Sequence, residues 1–171
     1  MPASFISFLA WIEASALGVW VGESQWGFPI SLTLHAFGMG MLAGGNLVLA
    51  LRLLGFVRSI PPTSLLKIYP LLWCSAVLSL ISGVMLLSAY PAKALTNPVF
   101  YSKLTFVVIG LCLLARPVRH QLETMDLQAA PTSTQRRLGI VIALLWLATI
   151  TAGRFLAYTH SVLRVNDLTG G

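Results

Sequence analysis

The sequence predicts an all-α integral membrane protein: an antiparallel bundle of four transmembrane helices, with an N-terminal amphipathic helix lying in the membrane interface. Three observations lead there. Of 171 residues, 57% are hydrophobic and 9% charged, against roughly 25% charged in soluble domains. The mean hydropathy is +0.83. Four stretches, 28–54, 68–90, 98–116 and 138–160, are long and nearly free of charge, and about 20 apolar residues in a helix cross a bilayer core of about 30 Å. A chain of this length forms one membrane domain, 1–171. The formal net charge of +6 does not point to nucleic acid, because the basic residues flank apolar stretches instead of interleaving with aromatics.

The first segment, 3–22, places Phe5, Phe8, Leu9, Ile12, Ala16, Val19 and Trp20 at helical spacing. Glu13 sits in its middle, which disfavours a full crossing and favours a helix in the interface. Trp11, Trp20 and Trp26 suit the headgroup zone. No Lys or Arg precedes Arg52, so the segment lacks the basic start of a cleavable signal peptide and is expected to stay on the protein.

The crossing at 28–54 has Pro29 in its first turn. Ser31, His35, Gly38, Leu42, Gly45 and Leu49 share one face, whose small residues admit a neighbouring helix or a flat ligand close to the backbone. After the Pro61-Pro62 break, 68–90 carries Ser75, Ser79 and Ser82 as a stripe with Gly83 beside it. Such a stripe packs against a helix or lines a polar groove. The third crossing, 98–116, opens at Pro98 and holds Lys103 inside. The polar connection that follows is expected to carry a short surface helix before Pro131. The fourth, 138–160, sets Trp146, Thr149, Gly153, Ala157 and His160 on one face and Thr151, Arg154 and Tyr158 on the next. Cys74 and Cys112 lie inside apolar runs without a CxxC spacing and are read as small packing residues.

Charge sets the expected orientation. Arg52, Arg58, Lys67, Arg116, Arg119, Arg136 and Arg137 fall on one side; Lys93, Lys103, Arg154 and Arg164 fall on the other. By the positive-inside rule the first set is cytoplasmic, so both termini face the periplasm of a bacterial inner membrane.

Ionisable residues inside a membrane are candidate functional groups. At about 1.5 Å per residue, His35, Lys103 and Arg154 lie roughly 8–9 Å below the outward ends of their helices. No acidic residue stands in the four crossings; Glu13, Glu23 and Asp167 are the acids on that side. The two cations therefore snorkel to the headgroups, pair with Glu13 or Glu23, or hold an anion such as a haem propionate, a lipid phosphate or a quinone head. His35 as haem iron ligand, with Gly38 making room and Lys103 and Arg154 on the propionates, gives a b-type haem site. Tyr158 and His160 complete that candidate set, although His160 counts out about 9 Å shallower than His35. The alternative is a core histidine bonded to a hydroxyl such as that of Tyr158.

Trp26, Pro29, His35, the run Leu51-Arg52-Leu53-Leu54-Gly55, Asn97-Pro98, Phe100, Lys103 and Gly153-Arg154 together resemble a family of small bacterial inner-membrane proteins. That resemblance implies four crossings and no assigned biochemical function. Members often have an acidic residue before the Leu-Arg run, where Ala50 stands here, and a histidine ending the third crossing, where His120 comes slightly later. A looser likeness to four-helix b-type cytochromes and copper-resistance membrane proteins rests on architecture and one histidine.

The expected function is that of a small inner-membrane subunit without catalytic activity. It would bind haem b or a quinone near the periplasmic face, for electron transfer or to anchor a periplasmic redox protein, alone, as a homo-oligomer or within a complex. A cofactor-free scaffold and a small-solute transporter are the alternatives. Gly-rich phosphate loops, HExxH and nucleophile triads are absent from the sequence.

Overall fold

The computed structural model describes residues 2–126, 129–158 and 165. Among them every regular element is helical. Two short helices, α1 (Ala3–Glu13) and α2 (Ala16–Glu23), precede the long α3 (Gly27–Leu54). Next come α4 (Pro62–Lys67), α5 (Tyr69–Ala89), α6 (Pro91–Leu95) and α7 (Pro98–Leu113). One π-helical turn, Leu114–Val118, joins α7 to α8 (Arg119–Glu123), and α9 (Ser133–Tyr158) follows. Four rods are long and apolar enough to span a bilayer: Gly27–Leu54, Pro62–Ala89, Pro98–Glu123 and Ser133–Leu156. They run alternately up and down. The upper end carries α1, α2 and α6, and the lower end carries α4 and α8.

Two elements differ from the sequence reading. The N-terminal segment is not one continuous helix, because α1 and α2 meet at a bend of 69°. Ser15 causes it: its hydroxyl oxygen accepts the Gly18 N–H at 3.1 Å, and a new N-cap inside an apolar run starts a second helix. α2 then lies against α5 and α3, with Gly18 at the contact, where an added Cβ would sit 2.7 Å from the Ser88 carbonyl oxygen. The third rod also runs on past residue 116 to Glu123. Pro117 brings no N–H and crowds the preceding turn, and the wider hydrogen-bond spacing of the π turn absorbs it without ending the helix.

α3 ends at Gly55, whose φ of +90° only glycine adopts readily. Phe56 N–H donates to the Leu51 carbonyl at 3.0 Å and Gly55 N–H to that of Arg52 at 3.1 Å, closing the helix in a Schellman turn. Arg52, in that last turn, is 1% exposed. Its Nε donates to the Ile60 carbonyl at 2.9 Å, which holds the loop beneath the helix where the macrodipole favours a cation.

α3 is flanked by α5 and α9, and α7 packs on α9. In lipid the force between helices comes from close packing, not from expelled water. Gly38 supplies it at the α3–α5 seam, where an added Cβ would meet Ser79 N at 2.9 Å and Ser75 O at 3.1 Å. The serine stripe faces this seam. Ser75 and Ser82 donate to the carbonyls of Leu71 and Leu78 on their own helix, at 2.7 and 2.6 Å, so their hydroxyls need no partner from α3. The lower half closes over an apolar core of Leu42, Leu49, Leu53, Leu72, Leu114, Ile142 and Trp146. The opposite faces, with Leu80, Ile81, Val108 and Leu144 exposed, form the belt that a bilayer covers. Cys74 and Cys112 stand on exposed faces, not in the packed interior.

Gly38→Ala is expected to force α3 from α5 and cost about 1–3 kcal/mol, read as a lower midpoint of denaturant-induced unfolding in mild detergent. Gly40→Ala and Gly44→Ala, with nothing within 4 Å of the new methyl, should match or slightly exceed the parent.

Candidate functional site

The polar half of the bundle centres on His35. The imidazole points across the α3–α5 seam, where Gly83 leaves it space: a Cβ on Gly83 would lie 3.3 Å from His35 Cε1. His35 Nδ1 is 3.0 Å from the Ser79 carbonyl oxygen and 3.3 Å from Ser82 Oγ. A carbonyl oxygen only accepts, and the Ser82 hydroxyl already gives its hydrogen to the Leu78 carbonyl. Nδ1 therefore carries the proton and donates it. In the neutral ring, Nε2 is left with its lone pair.

That lone pair meets Lys103. Its Nζ lies 3.2 Å from His35 Nε2, 68 residues away in sequence. α7 packs on α9, so the lysine must cross α9 to reach α3. It does so over Gly153, where the nearest approaches to an added Cβ are Lys103 Cε and Nζ, both at 3.7 Å. The four-carbon stem thus runs inward across a position on α9 that presents no side chain. Two full charges at this separation would repel by roughly 5 kcal/mol at an effective dielectric of about 20, so the geometry suits one shared positive charge. Among the described residues no carboxylate pairs with Lys103.

Of the predicted site residues, the fold brings His35 and Lys103 into contact and places Gly38 one turn below His35 in the seam. Lys103 turns into the bundle and does not snorkel. Arg154 and Tyr158 do not join them: both side chains are exposed, Tyr158 by 79%. His160 lies outside the described residues. The hydroxyl that His35 meets belongs to Ser82, not to Tyr158. Glu13 does not reach the cations either, since its Oε2 accepts the Val165 N–H at 3.1 Å.

The arrangement bears on haem directly. An axial histidine offers one ring nitrogen to iron and anchors the other. Here Nδ1 is anchored, but Nε2 is occupied by Lys103 and the ring edge is packed on Gly83. The donor set as arranged does not fit an axial ligand. It does fit a hydrogen-bonded oxygen, because an ammonium has three donors and His35 accepts one.

Ser79, Ser82, Gly83 and Gly153 are the site residues that sequence reasoning left in other roles. Ser79 acts through its backbone carbonyl, which carries no signal in the side-chain pattern. Gly83 was visible beside the serine stripe, and its one-turn offset from Ser79 was the available clue.

No curated protein and no solved structure matches this chain. A family model described as a family of unknown function, DUF6644, matches residues 8–159, which takes in α2 to α9 and the His35–Lys103 pair, and the chain belongs to that family.

Proposed function

We propose that this protein is a small bacterial inner-membrane subunit, without catalytic activity of its own, that holds the head of a quinone at the His35–Lys103 pair. The contact of Lys103 Nζ with His35 Nε2 at 3.2 Å inside the upper half of the bundle carries the reading. Lys103 would donate to a quinone carbonyl oxygen while His35 fixes the amine in place. Ser79 and Ser82, by holding the imidazole tautomer, keep the Nε2 lone pair aimed at the lysine. A quinone bound there would accept or deliver electrons and protons for a redox partner. The charge bias supports a periplasmic location for this end, and on that reading the partner would be periplasmic.

A cofactor-free scaffold is the second reading. It is favoured by the fact that both His35 nitrogens find partners within the protein. In that case the pair only pins α7 to α3 and α5.

Solvent extraction of protein purified in mild detergent should release about one quinone per chain, and reduced-minus-oxidised spectra should lack haem bands. Lys103→Ala should weaken quinone binding about tenfold, the worth of one such hydrogen bond near 1.4 kcal/mol. Protein that neither carries nor binds quinone would leave the scaffold reading. For orientation, Ser133→Cys at the start of α9 should react with an impermeant maleimide in inverted vesicles and stay unlabelled in intact spheroplasts. The opposite pattern reverses the topology.

A further inference from the structure

A second polar site lies at the lower end of the bundle, away from the His35–Lys103 pair. Leu66 of α4, Tyr69, Pro70 and Trp73 of α5, and Arg119 and Glu123 of α8 line a cavity of about 310 Å³, at the small end of ligand cavities of about 300–1,000 Å³. The π turn makes it, since it carries the third rod past Pro117 and sets α8 beside α4. Tyr69 is 7% exposed and its buried hydroxyl has no hydrogen-bond partner. An orphaned hydroxyl of this kind is destabilising unless something in the cavity answers it. The same hydroxyl lies within electrostatic reach of both Arg119 and Glu123. Arg119 gives Nε to Glu123 Oε1 at 2.8 Å, which leaves its terminal nitrogens as donors toward a further acceptor.

We propose that this cavity binds the phosphoethanolamine head of a phospholipid. The chemistry is complementary at each end. Arg119 and Tyr69 donate to the phosphodiester oxygens, a pairing in which guanidinium geometry is favoured. Glu123 accepts from the primary ammonium. The site's one cation and one anion balance a zwitterionic head, whereas an anionic head would leave Glu123 opposed. The surface tells lipid from a soluble phosphate ester. From the cavity mouth, Trp73, Val77, Leu80, Ile81 and Val84 run as one exposed stripe along α5, at the spacing of a single helix face, and this gives the acyl chains a path along the belt.

Native mass spectrometry of the full chain, released from detergent after titration with phosphatidylethanolamine, phosphatidylcholine or phosphatidylglycerol, tests the proposal. Phosphatidylethanolamine adducts should be retained preferentially. Tyr69→Phe and Arg119→Gln should each reduce that retention about tenfold. Glu123→Gln should abolish the preference over phosphatidylcholine, whose trimethylated nitrogen has no hydrogen to donate. Tyr69→Phe removes a buried hydroxyl that bonds nothing in the protein, so its unfolding midpoint should equal or exceed the parent's and a folding defect cannot mimic the result. Equal retention of the three lipids, or undiminished retention in both Tyr69→Phe and Arg119→Gln, overturns the site. Displacement of the lipid by free phosphoethanolamine at equal concentration overturns the assignment to a lipid. Quinone content in Tyr69→Phe should stay at the parent level, so this outcome is independent of the upper site.

Discussion

Inside a bilayer no water satisfies a polar atom, so each one must find its partner within the bundle. That constraint orders the upper half of this protein. The serines of α5 return their hydrogens to carbonyls of their own helix. His35 sends its Nδ1 proton to a carbonyl on α5, and Lys103 takes the remaining lone pair. Among the described residues no acid pairs with the lysine, and a neutral imidazole is the acceptor it meets. One contact therefore links α7 to α3 and α5 across a bundle in which α7 otherwise packs on α9.

The bundle is divided along its length. Below the serine stripe, Leu42, Leu49, Leu53, Leu72, Ile142 and Trp146 close an apolar core, with Trp146 laid over Gly110 at 3.0 Å from an added Cβ. Above it the seam is built from Ser31, His35, Gly38, Ser79, Ser82 and Gly83. The lower half gains its cohesion from dispersion between large side chains, and the upper half from close backbone approach and internal hydrogen bonds. A polar ligand suits the upper half, where donors already stand at membrane depth. The lower end meets the interface through Arg52, Tyr69, Arg119 and Glu123, and there the Tyr69 hydroxyl, like one terminal nitrogen of Arg52, is left unanswered by the packing.

Much of this was legible in the residues. The four spans follow from hydropathy and length, and their proline starts at Pro29 and Pro98 follow from the missing N–H of proline. His35 and Lys103 could be placed at similar depth by counting helix rise, and Gly38 on the His35 face by helical period. Arg154 shows the limit of the same arithmetic. Its depth matched theirs, yet its side chain is exposed, because depth is a property of one helix whereas facing depends on how two helices are rotated against each other. The bend at Ser15 and the π turn at Pro117 were hidden for a related reason. A capping hydroxyl and a proline each signal a possible break, and only the packing around them decides whether the chain turns or runs on.

The sequence by itself determined that the chain is helical, that it carries four segments long and apolar enough to cross a membrane, and which polar residues are stranded in them. Those are consequences of transfer free energy and helix geometry, which act residue by residue along the chain. Only the tertiary structure decided that Lys103 turns inward over Gly153 to His35 while Arg154 turns out, and that Tyr69 meets Arg119 and Glu123 around a cavity. Such pairings depend on the rotation of each helix about its own axis, which is settled by where small residues let backbones approach.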